Sequence, residues 1–349
     1  MLIASLLLAL HVGVQVPTFR FLPFYATGIS ANGRIVVGSA KTGKEERPCV
    51  WTSLDGLSLL PLPQGGRWGS AASSSGDGRL IAGTVEQAKN GVFIRRVVVW
   101  DDRTGPRFIG IDSSTNGAVA MSSDGFVVGQ SGGAFKWSKS FGIRKLRPMK
   151  VGHEYGGALA CSQRGEVVVG FTDVGPKVPH DHGGDGSGLG LEDGSIEACI
   201  WPDGRSPFGL GRPDGFFTTQ ATGVSSNGKV VCGFGNTKKG DRPFRWTAQS
   251  GFKELPLPEE DISVEAYGIS GDGRTIYGTA EGAVIWRDGL GVVSLQDHFK
   301  GLGVRIPAGW RIDMVAGVSY NARAWVGQAQ DAKGNTRSWH VVLPDATPG

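Results

Sequence analysis

The chain has 349 residues, among them 57 Gly and 18 Pro, and its 36 basic side chains nearly balance 32 acidic ones. So many turn formers exclude a largely helical fold, and no helical periodicity is visible beyond the first residues. The charges are scattered, which excludes the clustered Lys/Arg stripe with interleaved aromatics of a nucleic-acid binder.

The first element in the chain is an apolar run, Leu2 to Leu10. It is too short to span a bilayer and reads as a secretory signal peptide over residues 1–16, which places the mature chain outside the cytoplasm (periplasm, cell surface or medium) with no integral membrane span. No Lys or Arg precedes the run and no Ala-x-Ala site follows it, so an uncleaved hydrophobic start is the alternative. Next comes Thr18-Phe19-Arg20-Phe21-Leu22-Pro23, which resembles a later segment, Gly251-Phe252-Lys253-Glu254-Leu255-Pro256.

From residue 28 onward one pattern recurs seven times: an apolar residue, Ser, a two-residue turn, Gly, an apolar run, Gly, and Trp on the following strand. The copies run from Ser30 through Gly38 to Trp51, from Ser75 through Gly83 to Trp100, and from Ser122 through Gly129 to Trp137. They continue from Ser162 through Gly170 to Trp201, Ser225 through Gly233 to Trp246, Ser270 through Gly278 to Trp286, and Ser319 through Gly327 to Trp339. Within the first copy, Ala26 to Ser30 reads as a first strand and Asn32-Gly33 as a tight turn, because Asn/Asp-Gly tolerates the positive φ of a short hairpin. Ile35 to Gly38, Pro48 to Trp51 and Leu57 to Leu62 read as the second to fourth strands.

A repeat of roughly 40 to 50 residues carrying four short strands predicts a propeller blade, since one small sheet cannot bury both faces alone. The seventh copy lacks a fourth strand, because only Pro344 and a polar tail, residues 345–349, follow Trp339 to Leu343. The segment beginning at Thr18 is expected to supply it. The predicted fold is all-β, a single seven-bladed β-propeller over residues 17–344 whose last blade is completed by an N-terminal strand, and the chain is expected to be a monomer.

A residue present once per blade serves the blade. The repeated Ser hydroxyls are expected to bond the turn backbone, and the repeated Trp to pack between sheets. Cys49, Cys161, Cys199 and Cys232 occupy apolar slots within strands and read as buried thiols, with no CxxC spacing for zinc.

The repeat, G-I-S/N-x-D/N-G-x-x-V-V-G followed by A-x-x-W, resembles that of the HAF-repeat family of bacterial extracellular proteins. All seven copies match in part, and Gly309-Trp310-Arg311-Ile312 before Ala316-Gly317-Val318-Ser319 is similar to that family's approach to a repeat. The resemblance implies an exported propeller. It implies no activity and carries no catalytic residues.

Insertions fall on one face. Lys41 to Arg47, Glu86 to Phe93, Asp173 to Glu197, Asn236 to Asp241 and Gln330 to Thr336 separate second from third strands, while Gln64 to Ser70, Lys150 to Gly157, Pro213 to Gln220, Glu259 to Glu265 and Asp297 to Met314 separate blades. Loops on a rigid scaffold accumulate binding residues, so this face is the candidate site. Trp68, Tyr155, Phe216, Phe217 and Trp310 are its candidate ligand-binding aromatics, suited to stacking on sugars. The expected function is a non-catalytic binding module for a glycan or protein partner. The alternative is a polysaccharide-active lyase or hydrolase using His153, Glu154, Tyr155, Asp297 and His298 as acid, base or charged partner. No cofactor is expected. His180, Asp181, His182 and Asp185 could hold calcium or another divalent cation, but the loop completes neither a zinc nor a calcium template.

Overall fold

The computed structural model describes residues 16–344 apart from 90, 111–116, 154, 176–195 and 288. It contains seven antiparallel sheets of four strands, each sheet pairing its strands in consecutive order except the last. The first sheet comprises Tyr25–Ile29, Ile35–Thr42, Glu45–Thr52 and Gly56–Leu59; the next five begin at Gly66, Gly117, Gly156, Phe216 and Glu265. The last joins Trp310–Val318, Ala324–Asp331 and Thr336–Val342 to Thr18–Phe21, with Thr18 opposite Val342 and Phe21 opposite Trp339. First strands of neighbouring sheets touch at six of the seven junctions, and at the remaining one Trp310–Val318 touches the second strand of the sixth sheet, Thr275–Thr279, so the sheets close a ring with their first strands innermost. The chain is a seven-bladed β-propeller.

The repeated residues each have a local task. In every blade the N–H at the start of the second strand donates to the repeat Ser hydroxyl, from Ile35 to Ser30 at 3.0 Å through Ala324 to Ser319 at 2.9 Å. In five of these turns the hydroxyl also donates to the Asn or Asp two residues on, as Ser270 does to Asp272 at 2.6 Å. The hydroxyl thus ties the turn from inside, beside the backbone bonds that also close it, such as Ser30 N to Ile35 O at 2.9 Å.

The second repeated Gly answers a bulge. Each first strand skips a register position, between Ala26 and Gly28 in blade one and between Val315 and Gly317 in blade seven. The bulge presses a carbonyl onto the second strand. A Cβ at Gly38, Gly83, Gly170, Gly233, Gly278 or Gly327 would overlap the carbonyl oxygen of Tyr25, Ser70, Gly157, Gln220, Glu265 or Met314 respectively.

The repeat Trp seals one blade to the one before. The indole N–H of Trp100 donates to Pro61 O at 2.6 Å, that of Trp201 to Arg147 O at 2.6 Å and that of Trp286 to Pro256 O at 2.7 Å. The first turns are also bonded to one another around the axis. Asn32 Nδ2 donates to Gly76 O (2.6 Å), Gly76 N to Ser123 O (2.9 Å), Asp124 N to Gln163 O (3.4 Å) and Gln163 N to Ser226 O (2.9 Å). Ser226 N then donates to Gly271 O (2.9 Å), Asp272 N to Tyr320 O (3.1 Å) and Tyr320 N to Ala31 O (2.8 Å), closing a belt through all seven turns.

Two readings of the sequence are corrected. Lys41 to Arg47 and the described part of Glu86 to Phe93 are hairpin extensions, not irregular loops: Thr42 pairs with Glu45 and Lys89 with Val92, so the ladder continues to the turn. A helix also occurs, Leu295–Gly301, capped by Ser294, whose hydroxyl accepts from Asp297 N. It buries Leu295 and Phe299, one turn apart, and at seven residues is too short for periodicity to reveal. Among the described residues no helix is long and apolar enough to cross a membrane.

Candidate functional site

The face of the extended hairpins carries an open aromatic site beside blade two. Its first strand, Gly66–Ser74, skips register between Gly66, opposite Gln87, and Gly69, opposite Val85. Gly69 permits the bulge, since a Cβ there would overlap Thr84 O, and Arg67 and Trp68, two residues set against the single Glu86, are exposed. Trp68 is 40% exposed and stacks on Phe93, itself 51% exposed, with ring centroids 6.0 Å apart and planes 15° from parallel. The Arg67 guanidinium lies 5.7 Å from the first ring and 5.4 Å from the second, a cation held on π faces. Trp68 borders a cleft of about 310 Å³ also lined by Lys44, Glu46, Thr84, Glu86 and Arg95. Arg95 and Glu86 are 3.7 Å apart. A flat ring beside both signs of charge offers an apolar sugar face a stacking surface and hydroxyl groups both donors and acceptors.

Phe93 and Arg67 escape sequence reasoning for different reasons. Phe93 stands in the hairpin taken for an insertion, and the signal that could have exposed it is strand alternation through Val92–Asp101. Arg67 is recognisable only once the bulge places it beside both rings.

His153 is buried, 6% exposed, and its Nδ1 lies 3.1 Å from Asp173 Oδ2, an equally buried carboxylate. Asp173 Oδ1 also accepts from Gly175 N, and Asp173 N donates to Tyr155 O. This arrangement clamps the approach to blade four onto its second strand. Asp173, twenty residues away in sequence, is the partner that spacing did not identify. Tyr155 is at the surface, tilted on Phe171 with centroids 5.7 Å apart, and burial followed by the Asp173 charge raises its pKa. Glu154 lies outside the described residues.

The remaining candidates are spread around the ring. Phe216 is buried against Phe252, edge to face at 5.4 Å, so it is a core residue of blade five. Phe217 is half-buried, its carbonyl accepting from Arg212. Trp310 is half-buried on Phe21, centroids 4.7 Å apart, between the N-terminal strand and blade seven. Asp297 is exposed in the first helical turn and pairs with Lys300 at 3.3 Å, while burial and then Arg287 lower the pKa of His298. Among the described residues no hydrogen bond or ion pair joins any two of the His153, Tyr155, Asp297 and His298 side chains. No group of three or more metal-ligating side chains is assembled among the described residues. His180, Asp181, His182 and Asp185 fall outside them. The four thiols are free, and burial pushes those of Cys49, Cys161 and Cys232 up to about 12.

Neither a family model nor a curated protein matches the chain. Solved structures do. The β-propeller domain of the Trilobed protease from Pyrococcus furiosus, which has an open velcro topology, matches at a TM-score of 0.59 with 13% identity, over 93% of this chain and 97% of that one. The β-propeller domain of Myceliophteria thermophila Cps50 (Swd1) gives 0.52 with 12% identity, over 93% and 99%. An oligogalacturonate lyase in complex with manganese gives 0.50 with 12% identity, over 94% and 91%. These likenesses define the class of the protein as a β-propeller and extend no further than the fold.

Proposed function

We propose that the chain is a non-catalytic, extracytoplasmic β-propeller binding module that presents its hairpin-rich face to a glycan. The observation that carries this reading is the exposed Trp68 and Phe93 stack beside a cleft of mixed charge. Burying two such rings contributes several kcal/mol to an interface, more than the roughly 1 kcal/mol that their mutual stacking gives the free chain. A propeller lyase or hydrolase needs an acid and a base bracketing one cleft. Here the described candidates fall in two separate places, His153 and Tyr155 before blade four and Asp297 and His298 in the helix before blade seven, and the His153 and Asp173 pair is buried. Location outside the cytoplasm rests on the apolar start of the chain and on the likeness of its repeat to the HAF family.

A glycan array with the full chain tests the reading. A specific class of glycan is expected to bind, and Trp68→Ala with Phe93→Ala to weaken it at least about tenfold. No binding to any glycan, or product release abolished by His153→Ala, would overturn it.

A further inference from the structure

The repeat Trp is buried in six blades and half-buried in one. Trp246 of blade five is the exception, and the cause lies in its neighbour. Blade four ends in a fourth strand of two residues, Phe208–Gly209, where each other sheet has four. Gly209 pairs with Cys199 and Phe208 with Ile200; the next two rungs would fall to Pro207 and Pro202, neither of which has an N–H to donate. The ladder stops there. With those rungs missing, the preceding blade leaves Trp246 half-buried.

What opens is a groove of about 790 Å³ between blades four and five, on the face of the short turns opposite the Trp68 cleft. Val167, Ile200 and Val230 contribute apolar surface, and Phe208, 44% exposed, tilts on Trp246 with centroids 6.2 Å apart. Arg205, Lys229 and Arg245 line it, and no carboxylate does. Asp203, the acid on the adjoining turn, is held by Lys136 of blade three at 2.8 Å. None of the three cations forms an ion pair or a side-chain hydrogen bond with a described residue. Arg245 continues into a smaller groove between blades five and six that also holds Arg274 and Arg287.

We propose that this groove docks an acidic peptide segment, with one apolar side chain against Trp246 and Phe208 and flanking carboxylates on Arg205, Lys229 and Arg245. An apolar surface with two rings selects an apolar group, and unpaired cations of one sign around it select carboxylates on either side. The continuation past Arg245 suits an extended chain rather than a single small anion. Pro202 and Pro207 leave the neighbouring edge short of N–H donors, so recognition runs through side chains rather than strand addition. The site is independent of the glycan cleft on the opposite face.

The test uses fluorescein-labelled heptapeptides with a central Phe, Leu or Trp flanked by Glu or Asp, titrated against the full chain by fluorescence anisotropy. At least one is expected to bind saturably, to weaken at least about tenfold with Arg205→Glu and Lys229→Glu, and to weaken again in 0.5 M salt relative to about 0.05 M. Both substitutions are at exposed turn positions, and circular dichroism checks that the sheet is retained. Trp68→Ala with Phe93→Ala should leave the peptide affinity unchanged. No saturable binding by any of the peptides up to about 1 mM, equal binding when Gln replaces each acid, or indifference to the charge reversals overturns the proposal. So does a polyuronate or single-stranded oligonucleotide that binds in a manner sensitive to those reversals while the peptides do not.

Discussion

His340 of the last blade sits edge-on to Trp51 of the first, ring centroids 5.3 Å apart, and neither imidazole nitrogen has a hydrogen-bond partner among the described residues. Burial, and then Arg20 opposite it on the N-terminal strand, lower its pKa from 6.5 to about 4. Between those values the unfolded chain binds more protons than the folded one, so this group's contribution to stability falls as pH drops through that window. The loss is about 2 kcal/mol at pH 5 and on the order of 3 kcal/mol below pH 4. Urea unfolding at pH 7.5 and pH 5 checks it: His340→Leu should reduce the pH dependence by about 2 kcal/mol, and an unaltered dependence contradicts the assignment.

The N-terminal strand is expected to hold the ring closed. Phe19 stacks on Trp339 at 6.4 Å, the Arg337 guanidinium lies 4.2 Å from the Phe21 ring centroid, and Leu22 and Phe24 are buried. Deleting residues 17–24 removes these contacts and exposes the edge of the Thr336–Val342 strand, at a cost on the order of 5 kcal/mol or more. The thermal transition of the truncated chain measures this, and an unchanged midpoint would refute the closing role.

The bulge predicts which glycines tolerate a methyl group. Gly38→Ala drives Cβ into Tyr25 O and is expected to cost about 3 kcal/mol or to prevent folding. Gly301→Ala, at the helix end, meets no atom within 4 Å and should change stability by less than about 1 kcal/mol. Equal effects in chemical denaturation would mean that the repeated Gly does not serve the bulge.

The segment 176–195 is expected to be dispensable for folding, because Asp173 and Ile196 already pair across its ends. Replacing it with a short Gly/Ser linker should preserve the sheet signal in circular dichroism. Asp173→Ala, by contrast, strands the buried His153 and should cost about 2 to 4 kcal/mol. Loss of the sheet signal in the linker variant, or marked stabilisation of the intact chain by calcium or zinc, would instead make that segment a structural metal site.

The blade architecture is legible because its determinants are local. Ser30 and Asn32 act within one turn, and the same chemistry is printed seven times. What sequence left unread depends on the relation between neighbours. Trp246 is indistinguishable by pattern from its six counterparts, and its exposure follows from Pro202 and Pro207 in another blade. Phe216 and Trp68 both precede a repeat on a first strand that bulges, yet Phe216 keeps its pairing with Thr237 and is buried, whereas Trp68 stands inside the bulge and is exposed. The His153 and Asp173 pair is hidden because loop spacing does not report which strand a loop folds onto.

The belt from Asn32 through Gly76, Gln163, Ser226, Asp272 and Tyr320 back to Ala31 gives every turn two bonded neighbours. A linear solenoid has terminal units that can fray first and that need polar caps. This chain has two termini, but its hoop of turns has none, so no blade is a natural starting point for melting. Its amides should exchange with solvent together, at the rate at which the whole hoop lets go, although they belong to turns rather than strands.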